Sequence, residues 1–122
     1  MPETLSVSVD MFDGVPVLRL RGALIYGQDL QPINRAVTRL RSEGHDRIIV
    51  DLAAVEGTDS TGVSALLEAR RIIGERRGSV LLLRPPKRLR ATLVMTHVAS
   101  LFEVVEDEGD LRGRLGGDGV SR

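Results

Sequence analysis

The side chains best placed for chemistry are Asp59, Ser60 and Thr61, which stand in a row within "VEGTDSTGVSALLEARR", residues 55–71. They separate an apolar run from a segment with helical periodicity. A helix N-cap needs only one such side chain, because one oxygen accepts the free N–H groups of the first turn. Three in a row leave three interpretations open, namely redundant capping, a nucleophile, or a residue that another protein modifies or reads.

The residues around Ser60 argue against catalysis. A nucleophile elbow carries glycines two residues before and two residues after the serine, and Gly62 fits this pattern whereas Thr58 does not. A phosphate-binding P-loop needs a lysine that "GTDSTG" lacks. The chain has no cysteine, and its two histidines, His45 and His97, stand alone. We therefore predict that the protein is not an enzyme and binds no metal and no cofactor.

Modification of Ser60 is the third interpretation. The start of a helix favours an anion, because its N–H groups are unpaired and the helix dipole is positive there. A phosphate on Ser60 would add a charge of about −1.5 to −2. Next to Asp59, this charge would repel an acidic partner while the helix stays folded. The motif is therefore also consistent with a switchable protein interface.

Apolar periodicity predicts the strands that position this motif. Alternation in "TLSVSVD" and "VPVLRLRG", with a tight turn at Phe12-Asp13-Gly14, predicts a β-hairpin. The continuous apolar runs "RIIVDLAAV" and "SVLLL" predict strands that are covered on both faces. A short edge strand is predicted over residues 102–105.

Helical periodicity lies between these strands. The first helix is predicted to begin at Asp29 as N-cap, with Pro32 in its first turn, and to end at Gly44. The second runs from about Thr61 and ends at Gly78. The third covers "KRLRATLVMTHV", with these residues directed inward: Leu89, Leu93 and either Met95 or Thr96. A weak fourth helix covers "EDEGDLRGRL".

The element order β-β-α-β-α-β-α-β-α predicts a single α/β domain, a mixed sheet of four or five strands layered with about four helices. We place the domain at residues 1–115 and a flexible tail at 116–122. In such sheets, sites lie at the carboxyl ends of the strands. The loop 56–62 is predicted to lie at that edge.

Composition excludes several classes of function. Seventeen basic and seventeen acidic residues cancel, so no cationic field attracts nucleic acid. No apolar run approaches the roughly 20 residues of a membrane span. The first residues, "MPETLSVSVD", lack the layout of a signal peptide. We expect a cytoplasmic protein that does not insert into a membrane.

From about Val15 to Leu115 the chain resembles the STAS family, the anti-sigma factor antagonists of bacteria. "RIIVDLAAVEGTDSTGVSALLEARR" is similar to that family's strand, acidic residue, short loop, Asp-Ser-Ser/Thr-Gly and helix. The spacing from Gly22 to Asp59 also agrees, as does "GSVLLLRPPKRLRATLVMTHVASLFEVVED". The order and spacing of these segments carry the resemblance.

The resemblance implies a mechanism. The serine after the Asp, here Ser60, would be phosphorylated by an anti-sigma factor that is a serine kinase of the histidine-kinase-like ATPase type. The unphosphorylated domain would bind that kinase and free the sigma factor, and phosphorylation would release it. Thr61 would then be a cap or a kinase contact. The implied partner-binding residues are Asp59, Ser60, Thr61, Gly62, Ala23 and Ile25.

Two positions depart from the family pattern. After Gly22 many members have an acidic triplet, whereas this chain continues with residues 23–26, "ALIY". Either its kinase differs, or the protein is a STAS scaffold or regulatory subunit of a signalling or membrane transport complex that docks through this apolar segment without phosphorylation. His97 replaces a glycine, which implies either a reshaped turn or a tolerated local variant.

Overall fold

The computed structural model describes residues 4–120. The strands are β1 (Ser6–Phe12), β2 (Val15–Leu24), β3 (Ile48–Thr58), β4 (Val80–Leu83) and β5 (Glu103–Val105). The helices are α1 (Gln31–Ser42), α2 (Ser60–Ile73), α3 (Lys87–Met95) and α4 (Glu108–Val120), with a 3-10 turn at Ala99–Leu101. This confirms a single α/β domain with a five-stranded mixed sheet and four helices. No helix in the described part of the chain is long and apolar enough to cross a membrane.

The sheet follows the order of the chain, β1-β2-β3-β4-β5. β1 is antiparallel to β2, and the other neighbouring pairs are parallel. The hairpin turn has two residues, Asp13 at φ 51° and Gly14 at φ 81°. Positive φ at both positions matches the twist of the flanking strands, and Asp-Gly is a preferred pair for such a turn.

The strand order also explains where the helices lie. Parallel crossovers are right-handed as a rule, and each one here adds its strand on the same side of the previous strand, so the crossover helices pack on one face. Their buried side chains form the larger core with that face: Ile33, Val37 and Leu40 of α1, Val63, Leu66, Ala69 and Ile73 of α2, and Leu89 and Leu93 of α3.

Helix α4 follows β5 and covers part of the second face of the sheet, opposite the larger core. Its Leu111 packs in a smaller core with Val17, Ile49, Leu81, Leu83 and Val105. This core occupies the part of the face formed by β4, β5 and the first halves of β2 and β3. The part formed by the first half of β1 and the second halves of β2 and β3 has no helix over it among the described residues.

The ends of α1 and α3 share one backbone motif. After α1, the N–H of His45 donates to the Leu40 carbonyl and Gly44 has φ 97°. After α3, the N–H of Val98 donates to the Leu93 carbonyl. His97 holds the left-handed position there with φ 62°. Both are Schellman ends, so His97 is a tolerated variant rather than the cause of a reshaped turn.

Three predicted details of the helices are wrong. The N-cap of α1 is Leu30, one residue later than predicted, because the helix begins at Gln31, whose N–H donates to the Asp29 carboxylate at 3.1 Å. Helix α2 ends at Gly74, with φ 132°, rather than at Gly78. Met95 and Thr96 are both exposed, because α3 directs only Leu89 and Leu93 inward. The prediction that Pro32 lies in the first turn of α1 is confirmed.

The predicted tail, residues 116–122, falls partly within α4. Residues 116–120 belong to that helix, and residues 121–122 lie outside the described part of the chain. The flexibility of this segment stays a prediction.

Candidate functional site

The junction of β3 and α2 is a single residue. β3 continues to Thr58, because Gly57 and Thr58 still pair with Ala23 and Leu24 of β2, and α2 begins at Ser60. The predicted loop 56–62 is therefore reduced to Asp59. It lies at the carboxyl edge of the parallel strands, as predicted.

Asp59 is the N-cap of α2. Its Oδ1 accepts hydrogen bonds from the N–H groups of Thr61, at 2.9 Å, and Gly62, at 3.2 Å. Its Oδ2 accepts from the N–H of Tyr26 at 3.0 Å. The carboxylate thus ties the start of α2 to the segment that leaves β2. These bonds, that to Tyr26 first, lower the pKa of Asp59 below its ordinary value.

Ser60 occupies the first position of α2 and is exposed. Its hydroxyl makes no hydrogen bond with any other described residue. Thr61 is half-buried. Because Asp59 alone caps the helix, the three polar residues are not redundant caps. Ser60 is left with a free hydroxyl on the surface.

Gly62 permits the close approach of α2 to β2. A Cβ at this position would lie 2.1 Å from the Leu24 carbonyl oxygen and 2.7 Å from Thr58 Oγ1. Both distances are shorter than real Cβ contacts, so a side chain would push the first turn of the helix away. Gly62 therefore supports the site by allowing close packing. Because Gly62 is buried, it offers no surface to a partner.

The segment after Gly22 contributes less surface than predicted. Ala23 is 2% exposed and Leu24 is fully buried, since both still belong to β2 and pack inward. The structure thereby corrects the assignment of Ala23 to the partner-binding surface. Ile25 is half-buried, and Tyr26 is exposed over 81% of its surface. Of the apolar segment, Tyr26 is the residue most available to a partner.

A small apolar hollow adjoins the junction. It has a volume of about 150 Å³ and is lined by residues 55–58 of β3 and 86–89 at the start of α3. Lys87 and Arg88 stand on its α3 side. The edge of the sheet therefore offers, next to Ser60, a shallow apolar depression with positive charge on one wall.

The sequence model of the STAS domain matches residues 6–111. The chain belongs to the STAS domain family. The STAS fold is also shared with solved structures of the anti-sigma factor antagonist SpoIIAA. The unphosphorylated form has a TM-score of 0.67 at 20% identity, over 92% of this chain and 97% of that one. The phosphorylated form, described as a Bacillus cell fate determinant, has a TM-score of 0.60 at 18% identity, over 87% and 96%. No curated protein sequence matches this chain.

This STAS domain contains a second polar cluster that the sequence interpretation missed. Asp51 of β3 has a side chain only 8% exposed and pairs with Arg19 at 2.6 Å and Arg84 at 3.0 Å. Ser6, Ser8 and Arg21 line the same hollow. We call these six residues the open-face cluster. A carboxylate within the apolar run "IIVDL" was the available signal, because a buried charge requires a partner.

Proposed function

We propose that this STAS domain is an anti-sigma factor antagonist that is controlled by phosphorylation of Ser60. The unphosphorylated domain binds an anti-sigma factor that is also a serine kinase of the histidine-kinase-like ATPase type, and phosphorylation releases it. The observation that carries the proposal is the Ser60 hydroxyl, which is exposed at the start of α2 and makes no hydrogen bond within the described part of the chain. A kinase can reach this hydroxyl without unfolding any element.

The hydrogen bonds of Asp59 explain why a phosphate on Ser60 would act on the partner rather than on the fold. The N–H groups of Thr61 and Gly62 already donate to Asp59. A phosphate on Ser60 would be stabilised by the positive end of the helix dipole. It could not accept hydrogen bonds from these two N–H groups, because they already donate to Asp59. Its charge therefore points outward next to a second negative charge. A partner that covers the junction would have to desolvate both groups, which is costly for unpaired charges.

In this proposal the domain acts as a substrate and binding partner, not as a catalyst, and it works in the cytoplasm. The contact surface consists of the junction residues Asp59, Ser60 and Thr61, together with Ile25 and Tyr26. The apolar hollow between β3 and α3 lies beside them. Gly62 supports this surface from below.

The second candidate function is a STAS scaffold or regulatory subunit that binds its complex without phosphorylation. The exposure of Tyr26 is consistent with it as well, because an aromatic side chain exposed over 81% of its surface suits protein docking whether or not Ser60 is modified. The two candidates predict different roles for Ser60. In the second, Ser60 contributes at most a contact, and its charge state is irrelevant.

Phosphorylation is tested with an anti-sigma kinase encoded in the same genome, ATP and mass spectrometry. We expect one phosphate, on Ser60, and none in Ser60→Ala. Ser64→Ala is the matched control, since Ser64 is also an exposed serine, one turn further along α2. Phosphate on Thr61 or Ser64, or none with any such kinase, would contradict the proposal.

Ser60→Asp separates the two candidate functions. Asp is tolerated at the start of a helix, so thermal unfolding should show a stability within about 1 kcal/mol of wild type. Binding to the kinase, measured by titration calorimetry, should weaken at least tenfold, or about 1.4 kcal/mol. Ser60→Ala should bind as wild type and resist release by ATP. Equal affinity of Ser60→Asp and wild type would favour the scaffold or subunit.

A further inference from the structure

The open-face cluster lines a hollow of about 370 Å³ on the half of the second sheet face that α4 leaves uncovered. It lies on the face of the sheet rather than at the edge that carries Ser60. Its floor is formed by short side chains, those of Ser6 and Ser8 on β1 and Ala53 and Ala54 on β3. Longer side chains stand around this floor. The volume falls in the usual range of small-molecule sites, roughly 300–1,000 Å³.

Asp51 orients two guanidinium groups toward this hollow. Its Oδ2 accepts from Arg19 Nη1 and from Arg84 Nη2, and its Oδ1 accepts from the N–H of Ala53 at 3.1 Å. A guanidinium carries five N–H donors, so both arginines, which line the hollow, keep donors that Asp51 does not use. The side chains of Arg19 and Arg84 are 39% and 42% exposed. They are held in place and remain accessible.

The backbone of Arg84 is strained. Its φ is 54°, a left-handed conformation that costs a residue with a side chain about 1–2 kcal/mol. Its N–H donates to the Val105 carbonyl at 2.8 Å, which anchors this conformation to β5. A glycine would satisfy the turn without strain. Retained strain of this kind is common where a side chain is held for binding.

The charges of the cluster do not cancel. Arg21 lines the hollow, and its guanidinium makes no hydrogen bond or ion pair with another described residue. The three arginines of the cluster thus face two carboxylates. One is the buried Asp51, and the other is Asp10, which lies 3.4 Å from Arg19 at the rim of the hollow. One positive charge is left over, and the free donors belong to Arg groups and serine hydroxyls. We propose that the open-face cluster binds the phosphate group of a small phosphate monoester.

The chemistry of the cluster selects this class of ligand. Guanidinium groups match the oxygens of phosphate in pairs, and serine hydroxyls add neutral donors. A phosphate alone fills only part of 370 Å³, so room remains above Ala53 and Ala54 for the organic group of an ester. This site is independent of Ser60 and of the proposed function.

The test is an NMR titration of the full chain at constant ionic strength, with inorganic phosphate and glycerol 3-phosphate as separate probes. We expect saturable shifts of the backbone amides of residues 6–8, 19–21, 51–54 and 84, with a dissociation constant of about 1 mM or below. Binding of both probes means that the phosphate suffices, and binding of the ester alone means that the organic group contributes. Either outcome supports the site.

Two variants and a control locate the binding. Arg21→Gln removes the unpaired guanidinium, and Arg84→Gly removes a second while relaxing the backbone; each should weaken binding at least tenfold. Arg35→Gln, an exposed arginine on α1, should bind as wild type. If Arg84→Gly does not fold, Arg21→Gln decides alone. No saturable shift up to about 10 mM, shifts clustered at α2, or an equal loss in Arg35→Gln would overturn the proposal.

Discussion

Asp51 lies within β3 and Asp59 directly follows it, and each accepts three hydrogen bonds. The donors differ in kind. Asp59 accepts only backbone N–H groups, two of them from the next turn of its own helix. Asp51 accepts from two guanidinium groups that come from β2 and from the end of β4. The β3–α2 junction is therefore held by the backbone, and the open-face cluster by side chains.

This difference has consequences for charge. Backbone N–H groups carry no net charge, so Asp59 keeps its full negative charge at the surface and its pKa is lowered by hydrogen bonds. At Asp51 two cations outweigh one anion. The same residue type therefore leaves a negative charge directly beside Ser60 and lies within a net positive cluster on the sheet face. Each region suits a different kind of ligand.

The largest expected effect tests how rigid the junction is. Gly62→Ala places a Cβ 2.1 Å from the Leu24 carbonyl oxygen, which belongs to the backbone and cannot rotate away. We expect a loss of about 3 kcal/mol in the free energy of unfolding, measured by urea denaturation. Gly57→Ala is the matched control, since its Cβ would meet nothing within 4 Å. Equal costs for the two variants would show that the junction yields easily.

Asp59→Ala removes the acceptor for three N–H groups. We expect it to cost about 2 kcal/mol, from the loss of the cap and of the bond to Tyr26. Asp59→Asn keeps a capping oxygen and should cost less. Chemical denaturation of the three proteins measures this series. A cost for Asn as large as for Ala would mean that the negative charge, rather than the cap, holds the junction.

The lowered pKa of Asp59 also predicts how the stability difference between wild type and Asp59→Asn depends on pH. Its stabilising contribution is complete above the unfolded-state pKa, about 3.9, and is lost as pH falls through the lower folded-state value. The stability difference between wild type and Asp59→Asn should therefore be constant near neutral pH and shrink below about pH 4. A difference that begins to fall near pH 7 would contradict the assignment.

Asp51→Asn tests the open-face cluster. It keeps the shape of the side chain but removes the charge between two half-exposed arginines, and we expect a cost of about 1 kcal/mol. Because ion pairs are screened by salt, the cost should shrink in about 1 M NaCl. The cost of Asp59→Asn at pH 7 should change less. Equal salt sensitivity of the two variants would remove the distinction between the two regions.

The smallest effect concerns the end of α3, where backbone bonds act without any carboxylate. His97→Gly should stabilise the domain by about 0.5 kcal/mol, because glycine adopts φ 62° without strain. His97→Ala removes the imidazole but keeps the strained backbone, so thermal unfolding should show no gain. A gain for both variants would assign the effect to the imidazole.

Features that depend on neighbouring residues could be predicted from the sequence. The Asp13-Gly14 turn and the Gly44 helix end each follow from a local backbone requirement, and both are confirmed. The same holds for the strand and helix order, because each element carries its own period. The place of the Asp-Ser-Thr motif at the carboxyl edge followed from that order.

The failures depend on contacts between distant residues. Gly74 and Gly78 both fit a helix end, and α2 ends at Gly74. Beyond that end, Arg76 donates to the Asp46 carbonyl at 2.9 Å, a contact with a residue 30 positions away that the helical pattern does not reveal. Ala23 was predicted to lie at the surface, because the sequence does not show how far β2 extends along β3. That extension depends on the register between the two strands. The pairing of Arg19 with Asp51 likewise requires the β2–β3 register.

The order of the strands also affects how the protein can fold while it is being synthesised. Each new strand pairs with the one made just before it, and no strand has to be inserted between two others. A chain that leaves the ribosome from its amino end can thus extend the sheet one strand at a time. Helix α4 is synthesised after all five strands, when both edges of the sheet exist. Until it emerges, the apolar patch around Ile49 and Leu81 stays bare, and the nascent chain is most exposed to aggregation during that interval.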